Sequence, residues 1–149
     1  MTDLLLAIAH HLLIFGLLGL LIVEMMLVRQ GMTSAAALRV ARIDIFYGAT
    51  AGLILLVGFS RVFFGSKGSE FYLSNWVFWA KIAAFVVVGL LSAIPTLRFA
   101  RWRVAASQNP TFAPPADEIA AVRQLMHAQG IVFFTIPIFA ALMARGYGL

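Results

Sequence analysis

The groups with chemistry to offer in this chain are three histidines and a few charged side chains set inside long apolar runs. His10 and His11 lie with Glu24 in Leu4 to Val28, LLLAIAHHLLIFGLLGLLIVEMMLV. Arg61 and Lys81 lie in later runs, and His127 in the last. A fixed charge in mid-bilayer costs ~2.5 kcal/mol or more, so each such group needs a partner or a purpose. At 100° per residue, His10 and Glu24 fall about 40° apart on one helix face, with His11 about 100° from His10.

Several chemistries are excluded by what is missing. The chain has no cysteine, so disulfides, thiolate metal sites and thiol catalysis are out. Its histidines do not form HxxxH or HExxH, so a protein-only zinc site is not expected. No apolar run puts a serine beside a histidine backed by an acid, and Gly65 to Gly68 lacks the strand–helix context of a phosphate loop. A haem needs one or two axial ligands, commonly histidine, and four-helix bundles hold haem between helices. His10 is the first candidate for haem iron, with His11 and His127 in reserve, and Arg61 and Lys81 suit propionates. Arg123, His127, Gly130, Phe134 and Ile138 share one face of the last helix. His127 falls roughly 5–10 Å below His10, against a bis-histidine pairing. Met25, Met26, Met32, Met126 and Met143 read as packing rather than copper ligands.

Those groups have to be positioned by membrane spans. Of the 149 residues, 62% are hydrophobic and 11% charged, against about 45–50% and ~25% in a soluble domain. Four spans are expected, at about 4–28, 43–64, 75–97 and 119–144, in one domain covering 1–149. Met1-Thr2-Asp3 lacks a basic n-region and the run after it is too long for a signal peptide, so the first span is expected to be retained. Thr33-Ser34 suits a helix cap leading into the second span, Gly65 to Ser69 a turn, and Asp117-Glu118 a helix N-terminus. Tyr72, Trp76 and Trp79 are placed like an interfacial aromatic belt, and Pro95 is placed to kink the third span.

The basic residues set orientation. Arg29, Arg39, Arg42, Arg98, Arg101, Arg103 and Arg123 lie on one side, and Arg61, Lys67 and Arg145, with Lys81 deeper, on the other. By the positive-inside rule, loops 29–42 and 98–118 are cytoplasmic and both termini face out. The net charge of +5 is thus read as topology, and no nucleic-acid partner is expected. The expected architecture is an all-α, N-out/C-out four-helix bundle in a bacterial cytoplasmic membrane. Its lipid-facing surface leaves room for a homodimer.

Depth then sorts the polar residues into two layers. His10 and Lys81 each lie roughly 9 Å in from the outer face, with Arg61 near them. No acid shares that depth, which marks a site for an anion or a carboxylate-bearing ligand. Toward the cytoplasm lie Glu24, Arg42, Asp44, Thr96, Arg123 and His127. Here Glu24 is expected to pair with Arg42 or Arg123, and Asp44 with a neighbouring arginine, as structural ion pairs.

The stretches AHHLLIF, RIDIFYGATAGLILLVGFSRVFFGSKG, FYLSNWVFWAKIAAF and GLLSAIPT resemble an uncharacterised family of bacterial four-helix membrane proteins, a domain of unknown function. The resemblance covers essentially the whole chain and implies no activity. A partial similarity points to HemJ-type protoporphyrinogen oxidases and CopD-like membrane proteins. It rests on His10 in AIAHHLL and on Trp76 or Trp79 before Lys81 in NWVFWAKI. It implies haem b on His10, with Lys81 toward a porphyrin carboxylate or the substrate; the HemJ asparagine–glutamate–proline motif has no counterpart here. Two functions follow as expectations: a b-type haem redox protein acting on porphyrin or quinone, or a non-enzymatic membrane subunit, scaffold or small anion- or lipid-binding carrier. Copper handling is a distant third.

Overall fold

The computed structural model describes residues 1–65 and 68–148; Ser66 and Lys67 of the 65–69 turn, and Leu149, lie outside the described residues. The elements are α1 (Thr2–Leu27), α2 (Ser34–Phe64), a short α3 (Ser69–Leu73), α4 (Trp76–Gln108) and α5 (Ala116–Ala144). No strand occurs among the described residues. At 1.5 Å per residue the four long helices reach about 39–50 Å, well past a hydrocarbon core of roughly 30 Å. All four are long and apolar enough to cross a membrane. The protein is a four-span helical bundle.

Local chemistry explains where the helices begin and turn. The Thr33 hydroxyl accepts from the Ala36 amide at 3.3 Å and caps α2, which then runs unbroken into the membrane. The Asn75 side-chain oxygen accepts from the Val77 amide at 2.9 Å and caps α4. Between α1 and α2, Gly31 takes φ +72°, a conformation open to glycine without penalty, as the chain reverses. α4 continues through Pro95 to Gln108, carrying Arg98, Arg101 and Arg103 on its last turns, and α5 continues through Pro137. The short α3 was not anticipated from the sequence. It exists to bury Tyr72 against Val62 and Phe78, in a small cluster over one end of the bundle.

The helices form a row, α1 against α2, α2 against α4, α4 against α5, and the row closes by a lighter meeting of α1 with α5. The Asn75 amide donates to the Tyr147 carbonyl and the Trp76 N–H to the Gly148 carbonyl, which ties the C-terminus beside the start of α4. That end is called the terminal end below. At the opposite, arginine-rich end, Gln30 donates to the Ala116 carbonyl at 3.0 Å and Ser34 to the Ala106 carbonyl at 3.3 Å. Among the side chains buried along the axis are Leu17, Leu21, Phe99, Trp102, Ile119 and Met126. On α1 the buried residues are Leu17, Leu21 and Glu24, an i, i+4, i+7 stripe, while Leu5, Ile8, Leu12 and Phe15 face outward. An apolar exterior around a narrow packed stripe is what lipid as solvent requires.

Candidate functional site

Two clusters of polar side chains lie inside the bundle, at different depths. The first is at the terminal end. His10 of α1 leans on α2 at Gly58, where an added Cβ would meet the imidazole Cε1 at 3.3 Å. That glycine makes the seat for the ring. Lys81 of α4 holds its ammonium over the Phe78 ring, 5.3 Å from the centroid, a cation–π contact instead of an ion pair. The ionisable groups that act on His10 are Lys81, Arg61 and His11, in that order, and the one acting on Lys81 is Arg61. None of these is acidic. His10 Nδ1 and Arg61 Nε are buried and have no hydrogen-bond partner.

His10 and Lys81 open onto a cavity of about 60 Å³ to which all four long helices contribute. Its walls are otherwise apolar, with Ile14, Leu17, Ile54, Phe85, Phe133 and Ile136 among them. The shape is that of a ligand site: an apolar chamber with a small number of polar groups that fix orientation. Its volume admits a few water-sized groups. The other two histidines are not in its lining. His11 is exposed, its Nδ1 donating to the Ala7 carbonyl at 2.7 Å, and His127 is exposed, its Nδ1 donating to the Arg123 carbonyl at 2.6 Å.

The second cluster lies toward the arginine-rich end, and its pairing differs from the expected one. Glu24 is 3% exposed, its Oε1 has no hydrogen-bond partner, and the ionisable group acting on it is Asp44, another acid. Asp44 accepts from the Thr96 hydroxyl at 2.8 Å, joining α2 to α4. Beside them the Gln129 amide donates to the Tyr47 hydroxyl at 2.7 Å. Neither arginine expected to neutralise Glu24 forms an ion pair with it among the described residues. Arg123 donates to the Met25 and Val28 carbonyls, and Arg42 is exposed. The reason is that α1 ends there: the last carbonyls of a helix lack intrahelical partners and carry the negative end of its dipole, which draws the guanidinium. An ion pair does form, between Arg98 of α4 and Glu118 of α5, and the second Glu118 oxygen accepts from Trp102 Nε1 at 2.8 Å.

The sequence reasoning therefore missed Gly58, Phe78, Tyr47 and Gln129. Gly58 carried a faint signal, a small residue one turn before Arg61 in an otherwise bulky run. Tyr47 and Gln129 carried one as polar residues well inside spans.

Fold and site together define a multi-pass helical membrane protein in a lipid bilayer, with separate cationic and acidic clusters inside it. The chain belongs to the family described as Predicted membrane protein (DUF2214), which matches residues 2–148. Neither a curated protein nor a solved structure matches it.

Proposed function

We propose that this protein is a membrane carrier or receptor for a small carboxylate-bearing molecule, held at the terminal end by Lys81, Arg61 and His10. One observation carries the reading: His10 and Lys81 line one apolar chamber, with Arg61 one turn along α2 from the Gly58 seat, and His10 Nδ1 and Arg61 Nε are buried with no hydrogen-bond partner among the described residues. A buried donor without an acceptor costs about 1–3 kcal/mol, more when charged, and an anion relieves that cost. A carboxylate accepts from Lys81 and Arg61 through charge-assisted bonds, and His10 supplies one further N–H. The apolar walls, Ile54 and Phe85 among them, take the start of an alkyl tail. Positive-inside topology sets this end outward in a bacterial cytoplasmic membrane, with the arginine-rich end inside.

The b-type haem reading uses the same bases for propionates and His10 for iron, yet it asks for a macrocycle's volume beside the histidine. A carboxylate headgroup asks for less room there than a macrocycle. The experiment is a thermal titration of protein in nanodiscs with octanoate and, separately, with octanol. Octanoate raises Tm in the wild type, as any ligand selective for the folded state does, and octanol raises it much less. Equal shifts from the two compounds would contradict the proposal. Visible absorbance of the same preparation, with and without dithionite, tests haem: a His10-dependent Soret band would replace this reading with the haem one.

A further inference from the structure

We propose that the carboxylate held at Lys81 belongs to a long-chain fatty acid of the surrounding bilayer, whose tail leaves the chamber through a slit between α2 and α4. This deepens the carboxylate reading and rests on it. The chamber wall reaches the surface at α2. Among the described residues that line it, Leu55 and Phe59 alone are exposed, at 41% and 48%. The lining residues of α1, α4 and α5 are buried or half-buried. The apolar wall therefore runs from the interior out past these two side chains to the face that lipid covers.

The bond between Asp44 and Thr96 shows which neighbour they face. Asp44 of α2 accepts from Thr96 of α4, so the Asp44 side of α2 is turned toward α4. At 100° per residue Leu55 lies about 20° from Asp44 and Phe59 about 60°, on the side away from Gly58. Gly58 lies about 40° the other way and seats His10 of α1.

The levels follow from the same bond, because α2 and α4 are successive spans and run antiparallel. Equal steps from it, forward on α2 and back on α4, bring Leu55 level with Phe85, Phe59 with Lys81 and Val62 with Phe78. The last match is met independently, since Val62 and Phe78 share the small cluster around Tyr72. The slit thus has Phe59 and Lys81 at its terminal end, and Leu55 and Phe85 about 6 Å deeper in the membrane.

That order is the order of an amphiphile. Lys81 lies less than a turn from Trp79, whose exposed indole suits the interfacial belt. A fatty-acid carboxylate rests at this level, and the half-buried Lys81 ammonium gives it a charge-assisted bond. Below it the tail meets the apolar lips Leu55 and Phe85 and then hydrocarbon, so it stays out of water along its whole length. A short hydrated anion gains nothing from such an outlet.

Photo-cross-linking in nanodiscs tests this, with palmitate carrying a mid-chain diazirine and the matching hexadecanol probe. Palmitate adducts, mapped by mass spectrometry, are expected on Leu55, Phe59 and Phe85, reduced at least fivefold by excess unlabelled palmitate. Lys81→Met should cut them at least fivefold, and the alcohol probe should label these residues at least fivefold less. Adducts spread evenly over the lipid-facing helices, uncompeted by palmitate, or equal for acid and alcohol would overturn the proposal. The octanoate titration keeps the two readings apart. A Tm shift with octanoate but no adducts in the slit removes the fatty acid and leaves the carboxylate site, whereas neither shift nor adducts removes both. Wild-type labelling decides the matter even where Lys81→Met fails to fold.

Discussion

At the terminal end, His10 and Lys81 line an apolar cavity, with Arg61 outside its lining one turn along α2 from Gly58. Toward the arginine-rich end, Glu24 is buried with Oε1 unpartnered and Asp44 accepts from the Thr96 hydroxyl. Along α1 the two levels are about 21 Å apart. One bundle therefore holds half-buried bases at one level and buried acids at another, and no ion pair joins the two levels among the described residues. Charges that exist only to knit helices together are normally arranged as pairs, as Arg98 and Glu118 are here. Unmixed clusters are a more expensive arrangement, and at the terminal end that difference is what the proposed anion site rests on.

Four substitutions, ordered by expected effect, sharpen or break that contrast. Leu17 lies between the levels, 1% exposed and part of the cavity wall. Leu17→Ala is expected to destabilise the bundle by about 2–4 kcal/mol in reversible unfolding from mixed micelles and to enlarge the chamber. A much smaller loss would mean that the two levels are not separated by tight packing. Glu118→Ala leaves Arg98 and Trp102 without their acceptor. Because the pair is partly exposed, the expected loss is about 1–2 kcal/mol, and octanoate affinity should stay unchanged.

Thr96→Val removes the hydroxyl that donates to Asp44, for about 1 kcal/mol in the same assay. Carboxylate binding at the far end should not change. Gly58→Ala is the smallest change. The new methyl sits 3.3 Å from His10 Cε1, so the ring must give way by a few tenths of an ångström. Stability should fall by less than about 1 kcal/mol, with octanoate binding several-fold weaker. Unaltered binding would remove His10 from the site.

How much of this was legible beforehand depends on the coordinate in question. Depth along the membrane follows from residue count and rise, and counting alone set His10, Arg61 and Lys81 at one level and Glu24 with Asp44 at another. Rotation about each helix axis is different, because it is fixed by packing between helices that sequence periodicity barely registers when all sides are apolar. Glu24 was expected to meet Arg42, which is exposed, or Arg123. The guanidinium turns instead to the Met25 and Val28 carbonyls, a competitor invisible to a pattern of side chains. Gly58 is the same lesson in small: a missing Cβ has meaning only once the imidazole that leans on it is known. The four spans were readable because long apolar runs leave few alternatives, whereas α3 was not, since five residues carry no periodicity.

The most direct measurement is octanoate affinity in nanodiscs for the wild type, Lys81→Met and Glu24→Gln side by side. The account predicts that Lys81→Met weakens binding at least tenfold, a loss of about 1.4 kcal/mol, and that Glu24→Gln leaves it within twofold. Equal affinity in all three, or a loss confined to Glu24→Gln, would contradict the assignment of the anion to the cationic end.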